Sequence, residues 1–329
     1  MLNKQIFFTD IHKAELVEND LRGVRENEVL TRTEYTVVSG GTERACILGM
    51  NNTSQNFPMS PGYCGVGYVE EVGAKVTSVA AGDRVLVYHG CHSKYNIRPE
   101  SDITKVENDA VSSLEAAFVI IASMGLGGVR KLEIELGESA MVMGQGLLGI
   151  FATQFLRLSG ANPVIAVDLS AERRELALKL GADCAFDPSD DNFVRKVKEA
   201  TNGKGVNGCV EVTGVSAAMK QALECASWMG RIALLGCTRV SDCSIDYYQQ
   251  VHTSLYCVSA RTLRSCPVHT IPTAMNKAKH RLSVRTNHVF FFIARSSFIH
   301  PYYRLQFQYI VLKNIKQHRY CAVFYNYCY

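Results

Sequence analysis

The chain has 329 residues, of which 47% are hydrophobic and 20% charged, and this length suggests two domains with a sizeable core. Residues 1–30 carry no secretion-signal pattern, and the longest apolar runs are too short to span a bilayer, so no membrane partner is expected. Twelve cysteines without a Cys-x-x-Cys pair then indicate reduced thiols in the cytoplasm rather than disulfides or a thiol-ligated structural zinc.

Residues 1–115 are predicted to form a β-rich domain. Segments of strand composition lie at 28–38, 65–72 and 83–88, and glycine turns stand between them. In the second segment, apolar and polar residues alternate only in part, which is typical of a strand in a curved barrel. Residues 115–129 are apolar and contain glycine, which predicts a helix that links this domain to the next.

A glycine-rich loop stands between two apolar runs in the middle of the chain. Residues 140–143 are short enough for a buried strand, 150–158 indicate a helix, and 163–167 form a second apolar run that ends in Asp168. The loop has the pattern Gly-x-Gly-x-x-Gly and comprises Gly144, Gln145, Gly146, Leu147, Leu148 and Gly149. The fingerprint of dinucleotide binding is a strand, a glycine loop, a helix, a second strand and an acidic residue in this order. In such sites the pyrophosphate binds at the start of the helix.

Asp168 predicts a preference for NAD over NADP. Its carboxylate can accept hydrogen bonds from both ribose hydroxyls of adenosine, whereas a 2′-phosphate would meet a like charge. Arg173, one turn into the next predicted helix, either lies beside the same ribose or is a solvated helix residue, and the two alternatives stay open.

From residue 137 onward, predicted strands and helices alternate. The further strands lie at 184–187, 206–212, 231–236 and 254–259, and the helices at 170–180, 191–200 and 215–229. Right-handed crossovers between six such strands predict an α/β fold with a doubly wound parallel Rossmann sheet over residues 116–261. Thr213 follows the fourth strand at its carboxyl end and is therefore a further candidate for cofactor binding.

Several motifs support a family resemblance when they are taken together. They are Pro61-Gly62-Tyr63-Cys64-Gly65-Val66-Gly67, Gly82-Asp83-Arg84-Val85, Glu211-Val212-Thr213-Gly214 and Gly230-Arg231-Ile232-Ala233-Leu234-Leu235-Gly236. From about residue 1 to about 261, the chain resembles the medium-chain dehydrogenase/reductase superfamily, in its zinc-type alcohol dehydrogenase-like branch. The resemblance implies a GroES-like catalytic domain over 1–115 and NAD-dependent hydride transfer to or from a small alcohol or carbonyl substrate. It is also compatible with a homodimer formed through the Rossmann domain.

The chain departs from this family at the catalytic zinc. Relatives take the first ligand from the cysteine of Cys-Gly-Thr-Asp and the second from the histidine of Gly-His-Glu. The matching stretches here are 40–43 and 62–64, so Gly40 and Tyr63 stand at the ligand positions. Near the third position, residues 116–129 contain no Cys, His, Asp or Glu, and the four-cysteine lobe of many relatives is missing. No zinc is therefore expected.

A hydride transfer without zinc needs another donor to the substrate oxygen. Two hydroxyls are candidates for this role. The resemblance matches Thr42 to the hydroxyl that relays the substrate proton, and Tyr63 stands at a former ligand position. The alternatives are that Thr42 only caps a turn and that Tyr63 only fills space. Ala45 stands where some relatives have the histidine that ends the relay.

The run from His89 through Cys91 to His92 raises the alternative of an improvised metal site. Adjacent Cys and His residues rarely ligate one tetrahedral ion without help, and no other ligand cluster lies nearby in sequence. A polar turn at the domain surface is the favoured interpretation.

Residues 262–329 differ from the rest in composition. They hold ten Lys or Arg, no acid and no glycine, whereas the first 261 residues hold 25 basic and 31 acidic side chains, a net charge of −6. One hypothesis is a basic, aromatic extension that binds nucleic acid or an acidic partner. The favoured hypothesis is a frame-shifted remnant, because glycine and acidic residues are both absent from the point where the resemblance stops. A catalytically impaired NAD-binding protein is then the main alternative to an active oxidoreductase.

Overall fold

The structure is a computed structural model that describes residues 1–239, 244, 256–259 and 311–313. These residues divide into two units. One comprises Met1–Glu43, Asn56–Ala117 and a short strand at Val311–Lys313, and the other comprises Arg44–Gln55 and the described residues from Phe118 to Ser259. Within the described ranges, no helix is both long and apolar enough to cross a membrane.

The first unit is built from antiparallel strands. These are β1 (Leu2–Asp10), β2 (Lys13–Asp20), β3 (Glu28–Val37), β4 (Cys64–Val72), β5 (Arg84–Tyr88), β6 (Tyr95–Pro99) and β7 (Ile103–Lys105). Helix α1 (Gly40–Ile47) follows β3, a 3₁₀ turn (Glu100–Asp102) precedes β7, and α2 is Ser113–Ala117. The three strands predicted from the sequence are confirmed as β3, β4 and β5.

Strand β3 is an interior strand of the main sheet of this unit. It pairs with both β4 and β6, and the order continues from β4 through β5 to β7, while β1 and β2 form a separate hairpin. A Cβ at Gly67 would lie 2.1 Å from the carbonyl oxygen of Arg32, so only glycine allows the two strands to approach there. Valine side chains from β3, β4 and β5 pack with Ile103 in the core.

The second unit contains a parallel sheet with helices between its strands. The strands are β8 (Ala140–Met143), β9 (Val164–Val167), β10 (Cys184–Phe186), β11 (Val206–Glu211), β12 (Ala226–Leu234) and β13 (Tyr256–Ser259). The helices are α3 (Val119–Leu132), α4 (Leu147–Leu158), α5 (Ala171–Lys179), α6 (Phe193–Ala200) and α7 (Ser216–Cys225). The sheet order β10-β9-β8-β11-β12-β13 confirms the predicted doubly wound Rossmann arrangement.

Two predicted helices differ from the observed ones. The segment predicted as one helix over 115–129 forms α2 and α3, which ends only at Leu132. The helix predicted to run to Met229 ends at Cys225, because Ala226 is extended and pairs with Val206 of β11. The backbone pairing at the start of β12 therefore overrides the apolar pattern that favoured a longer helix.

The tail predicted to be atypical, 262–329, lies outside the described residues except for β14 (Val311–Lys313). This strand pairs antiparallel with β3, with Leu312 opposite Thr36. The hypotheses of a nucleic-acid-binding or frame-shifted tail therefore stay predictions.

Candidate active site

The order of the parallel sheet fixes where a ligand crevice opens. Strands β8 and β11 are neighbours, but their connections run to opposite sides, to β9 and to β12. The carboxyl ends of β8 and β11 are therefore the switch point at which doubly wound sheets bind nucleotides. The glycine loop follows β8, and Glu211, the last residue of β11, is followed two residues later by Thr213.

The glycines of the loop are required by the backbone. Gly144 has φ = +95°, and a Cβ there would lie 2.8 Å from Cγ2 of Thr213. A Cβ at Gly149 would lie 1.8 Å from the carbonyl oxygen of Gly144. Gly146 caps helix α4, which begins at Leu147, and Leu148 is partly buried in its first turn. The loop thus turns tightly into a helix start, which offers N–H groups to a pyrophosphate.

Gln145 has a structural side chain. It is 2% exposed, its Nε2 donates to the carbonyl oxygen of Val142 at 3.1 Å, and its Oε1 accepts from Oγ1 of Thr153 at 3.0 Å. Both ends of the amide are therefore satisfied inside the domain. Of the residues in the predicted loop, Gln145 contributes its backbone, rather than its side chain, to the crevice edge.

Asp168 follows β9 and anchors the turns on both sides of it. Its Oδ2 accepts from the backbone N–H of Gln145 at 2.7 Å, and its Oδ1 accepts from that of Ser170 at 2.8 Å. An ionised carboxylate has about four acceptor sites, so each oxygen keeps capacity for a ribose hydroxyl. Nη1 of Arg173 lies 3.6 Å from Oδ2. The structure therefore places Arg173 beside the predicted ribose site.

Glu211, which begins a family motif but is not among the predicted site residues, organises the opposite side of the switch point. It is 3% exposed, and its Oε1 accepts from the backbone N–H of Thr213 at 2.6 Å and from the Thr213 hydroxyl. The N–H of Gly214 donates to the same carboxylate at 3.1 Å. Burial raises the pKa of Glu211 despite these donors. Thr213 itself is exposed, and its hydroxyl is directed to Glu211.

The first unit gathers hydroxyl groups around the start of α1. Ser39 and Thr42 lie in and beside the first turn, and their hydroxyl oxygens are 3.5 Å apart. The phenol of Tyr63, which precedes β4, lies close enough to both hydroxyls for each of them to lower its pKa, although burial raises that pKa more. The structure therefore brings together the two predicted catalytic residues and adds Ser39 to them. We call these three residues the hydroxyl cluster.

Burial sets the protonation of the groups next to this cluster. It raises the pKa of Tyr63 well above its usual range, so the phenol stays protonated at neutral pH. Cys64 is fully buried, and burial together with the charge of Glu43 raises the pKa of its thiol as well. The cluster consists of neutral hydrogen-bond donors rather than of anions.

Comparisons with known proteins assign the chain to a family. Residues 25–131 match the alcohol dehydrogenase GroES-like domain, and residues 148–278 match the zinc-binding dehydrogenase family. Together the two matches cover most of both units. The chain belongs to the alcohol dehydrogenase-like branch of the medium-chain dehydrogenase/reductase superfamily. It is an alcohol dehydrogenase-like oxidoreductase.

Relatives and solved structures agree with this membership. The L-threonine 3-dehydrogenase of Pyrococcus horikoshii is 29% identical over 256 residues, which are 68% of this chain and 72% of that protein. An alcohol dehydrogenase zinc-binding domain protein from Burkholderia ambifaria has the same fold, with a TM-score of 0.78, 20% identity and coverage of 95% and 99% of the two chains. The structure of a zinc-binding dehydrogenase from Sinorhizobium meliloti, bound to NADP, matches with a TM-score of 0.73 and 20% identity. The match covers 83% of this chain and 89% of that chain.

The residues at this family's zinc positions do not fit a catalytic zinc. Gly40 begins α1 and has no side chain, Tyr63 belongs to the hydroxyl cluster, and Cys64 is a buried thiol with a raised pKa. Within the described part of the chain, no three His, Cys, Asp or Glu side chains form a group that could hold a metal ion.

The run from His89 to His92 separates into different environments. His89 is exposed, and its Nδ1 lies 3.4 Å from Asp102. His92 is buried, with one ring nitrogen 2.8 Å from Glu43 and the other 2.8 Å from Thr36. The interpretation of the whole run as a polar surface turn is therefore wrong for His92, because this side chain finds polar partners inside the unit. No local pattern indicates them, since Glu43 lies 49 residues away in sequence.

Proposed function

We propose that this oxidoreductase transfers hydride between NAD and a small alcohol, aldehyde or ketone, without catalytic zinc. The observation that carries the proposal is the hydroxyl cluster of Ser39, Thr42 and Tyr63. It surrounds Gly40 and includes Tyr63, the two positions to which the resemblance assigns zinc ligands. A neutral donor aimed at the substrate oxygen replaces the Lewis acid in this proposal.

The cofactor assignment is supported by the glycine loop and Asp168. The loop turns into the start of α4, and the carboxylate next to it retains acceptor sites for two ribose hydroxyls. A 2′-phosphate would approach this same carboxylate and be repelled, although Arg173 offsets part of the repulsion. We therefore assign NAD as the preferred cofactor and NADP as the weaker one.

The chemistry left to the chain is the stabilisation of charge on the substrate oxygen. NAD, when bound, supplies the hydride acceptor or donor. In the reduction of a carbonyl, negative charge develops on its oxygen, and a hydroxyl of Thr42 or Tyr63 donates a hydrogen bond and then a proton to it, while solvent water returns a proton to that hydroxyl. One well-placed donor of this kind is worth about 3 kcal/mol. Because its pKa is raised, Tyr63 carries its proton at neutral pH.

Steady-state turnover of a panel of carbonyl compounds with NADH tests the proposal. Thr42→Val and Tyr63→Phe each remove one hydroxyl and keep the side-chain volume, so each should lower kcat by about 10- to 100-fold with unchanged NADH affinity. Tyr68→Phe on β4 is the matched control, since Tyr68 packs with Arg32 instead of the hydroxyl cluster, and it should retain full turnover. Full activity in both site variants would contradict the proposal. Tight NADH binding without any turnover in the parent would favour a catalytically impaired NAD-binding protein.

A further inference from the structure

His92 lies between the two segments that carry the hydroxyl cluster. Its side chain is 3% exposed, and Nε2 is 2.8 Å from Oε2 of Glu43, the residue after Thr42. Its backbone N–H donates to the carbonyl oxygen of Pro61 at 3.0 Å, two residues before Tyr63. One residue therefore contacts both the helix that carries Thr42 and the segment that carries Tyr63.

Glu43 extends this connection to Ser39. Its side chain is 9% exposed, and its Oε1 accepts from the backbone N–H of Ser39 at 2.9 Å. The carboxylate therefore spans the first turn of α1, with His92 on one oxygen and the turn backbone on the other. Losing one partner of such a buried pair leaves the other unsatisfied, so the geometry is strongly maintained.

The second ring nitrogen fixes the orientation of the imidazole. Nδ1 of His92 is 2.8 Å from Oγ1 of Thr36 near the end of β3. With both nitrogens occupied, a ring flip would break two hydrogen bonds at once. Thr36, like His92, is almost completely buried, so water does not replace these bonds.

The backbone around Tyr63 is packed directly against His92. Gly62 has φ = +104°, and a Cβ there would lie 2.8 Å from the backbone nitrogen of His92. The carbonyl oxygen of Tyr63 accepts from the N–H of His89 at 3.0 Å. The loop from His89 to His92 thus sets the position of the Tyr63 backbone from one side.

From this geometry we infer that His92, through Glu43, is a positioning residue for the hydroxyl cluster. It holds Thr42 and Tyr63 at a fixed mutual distance, and it does not itself contact the substrate. The inference rests on the proposed function for its catalytic consequence, but the positioning itself can be measured without turnover.

The experiment places 3-fluorotyrosine at position 63 and records its fluorine resonance in the full chain. His92→Leu removes both ring hydrogen bonds, whereas His92→Gln retains an N–H that can reach Glu43. We expect His92→Leu to move or broaden the resonance and to lower kcat by about 10- to 100-fold, with the KM for NADH changed less than about twofold. His92→Gln should restore the parent resonance and most of kcat. Thr36→Val removes only the partner of Nδ1, so its shift of the resonance and its decrease of kcat should lie between those of the parent and His92→Leu. This variant serves as the test if His92→Leu does not fold.

Three results would overturn the inference. The first is a fluorine resonance that does not move in the folded variants. The second is an equal decrease of kcat in His92→Leu and His92→Gln. The third is a loss of NADH binding in parallel with kcat, which indicates general destabilisation. The Thr42→Val and Tyr63→Phe variants separate this inference from the proposed function. If they remain fully active, the proposed function fails, while the fluorine spectra still decide whether His92 positions Tyr63.

Discussion

Asp168 combines an anchoring role with the proposed recognition of the cofactor. Its two oxygens hold the N–H groups of Gln145 and Ser170, which fixes the carboxylate at the edge of the crevice. A carboxylate held in this way loses little conformational freedom on meeting a ribose, which favours discrimination between cofactors.

Replacing Asp168 should therefore reduce the difference in affinity between NADH and NADPH. We expect Asp168→Ala to weaken NADH binding by about tenfold, since it removes the ribose hydrogen bonds, and to weaken NADPH binding much less because the repulsion is also removed. Asp168→Asn keeps the shape of the side chain and separates the loss of charge from the loss of anchoring. Fluorescence titrations with both cofactors measure the change, and equal affinities of the parent chain for NADH and NADPH would refute the assignment.

Cys225 gives a residue-level prediction for stability against pH. Burial raises the pKa of this thiol from 9.0 to about 12. Above pH 9 the thiol ionises in the unfolded chain but not in the folded one, so ionisation favours unfolding. The stability present below pH 9 is lost as the pH rises toward 12, by about 1.4 kcal/mol per pH unit from this residue.

Denaturant unfolding of matched cysteine variants between pH 8 and pH 11 isolates this contribution. Cys225→Ala should flatten the slope of the unfolding free energy against pH, whatever its effect at pH 8. Cys237→Ala, at an exposed position, should leave the slope unchanged. Identical slopes in the parent and Cys225→Ala would show that the thiol is not held protonated by the fold.

Among the elements, the glycine loop and α4 depend on a close approach of two backbone segments. Ala is ordinarily a better helix residue than Gly by about 1 kcal/mol. At Gly149, however, the added Cβ would lie 1.8 Å from the carbonyl oxygen of Gly144, which is part of the backbone and cannot move aside alone. Steric exclusion therefore outweighs helix propensity at this position.

Gly149→Ala should consequently disrupt the cofactor site. We expect NADH affinity to fall by more than about tenfold and the unfolding free energy to fall by about 2 kcal/mol or more, because the loop must shift. Gly23→Ala is the control, since nothing lies within 4 Å of a Cβ there, and its effect should stay within about 0.5 kcal/mol. Calorimetric titration and thermal unfolding report the two quantities. Normal NADH affinity in Gly149→Ala would mean that the observed packing of the loop is not needed for binding.

The elements that sequence reasoning predicts are those with local patterns. The Rossmann strands are short apolar runs, and the glycine loop carries its own spacing, so both follow from neighbouring residues. The β1–β2 hairpin escapes prediction because its β2 strand is mostly exposed and charged. In the site, Thr42 and Tyr63 follow from the family motif, whereas the His92–Glu43 contact joins residues 49 apart and arises only from tertiary packing.

At the scale of the whole molecule, the chain combines the two domains of its family, and the proposed function gives it a catalytic site without zinc. The family matches extend over residues 25–131 and 148–278. The second match begins within the glycine loop that we assign to the cofactor, and the resemblance places Gly40 and Tyr63 at the positions of zinc ligands. A neutral hydroxyl cluster and a buried histidine–glutamate pair occupy this part of the first unit. The proposed difference from the family therefore concerns the chemistry of the site and not the fold.

The central claim is hydride transfer that does not depend on zinc, and one measurement tests it most directly. The purified chain is dialysed against a strong chelator, its zinc is quantified by elemental analysis, and NADH oxidation is followed with the panel of carbonyl compounds before and after. We predict less than about 0.1 zinc per chain and unchanged turnover, because glycine and tyrosine stand at Gly40 and Tyr63, where the resemblance places zinc ligands. Loss of turnover on chelation, with recovery when stoichiometric zinc is returned, would contradict the account.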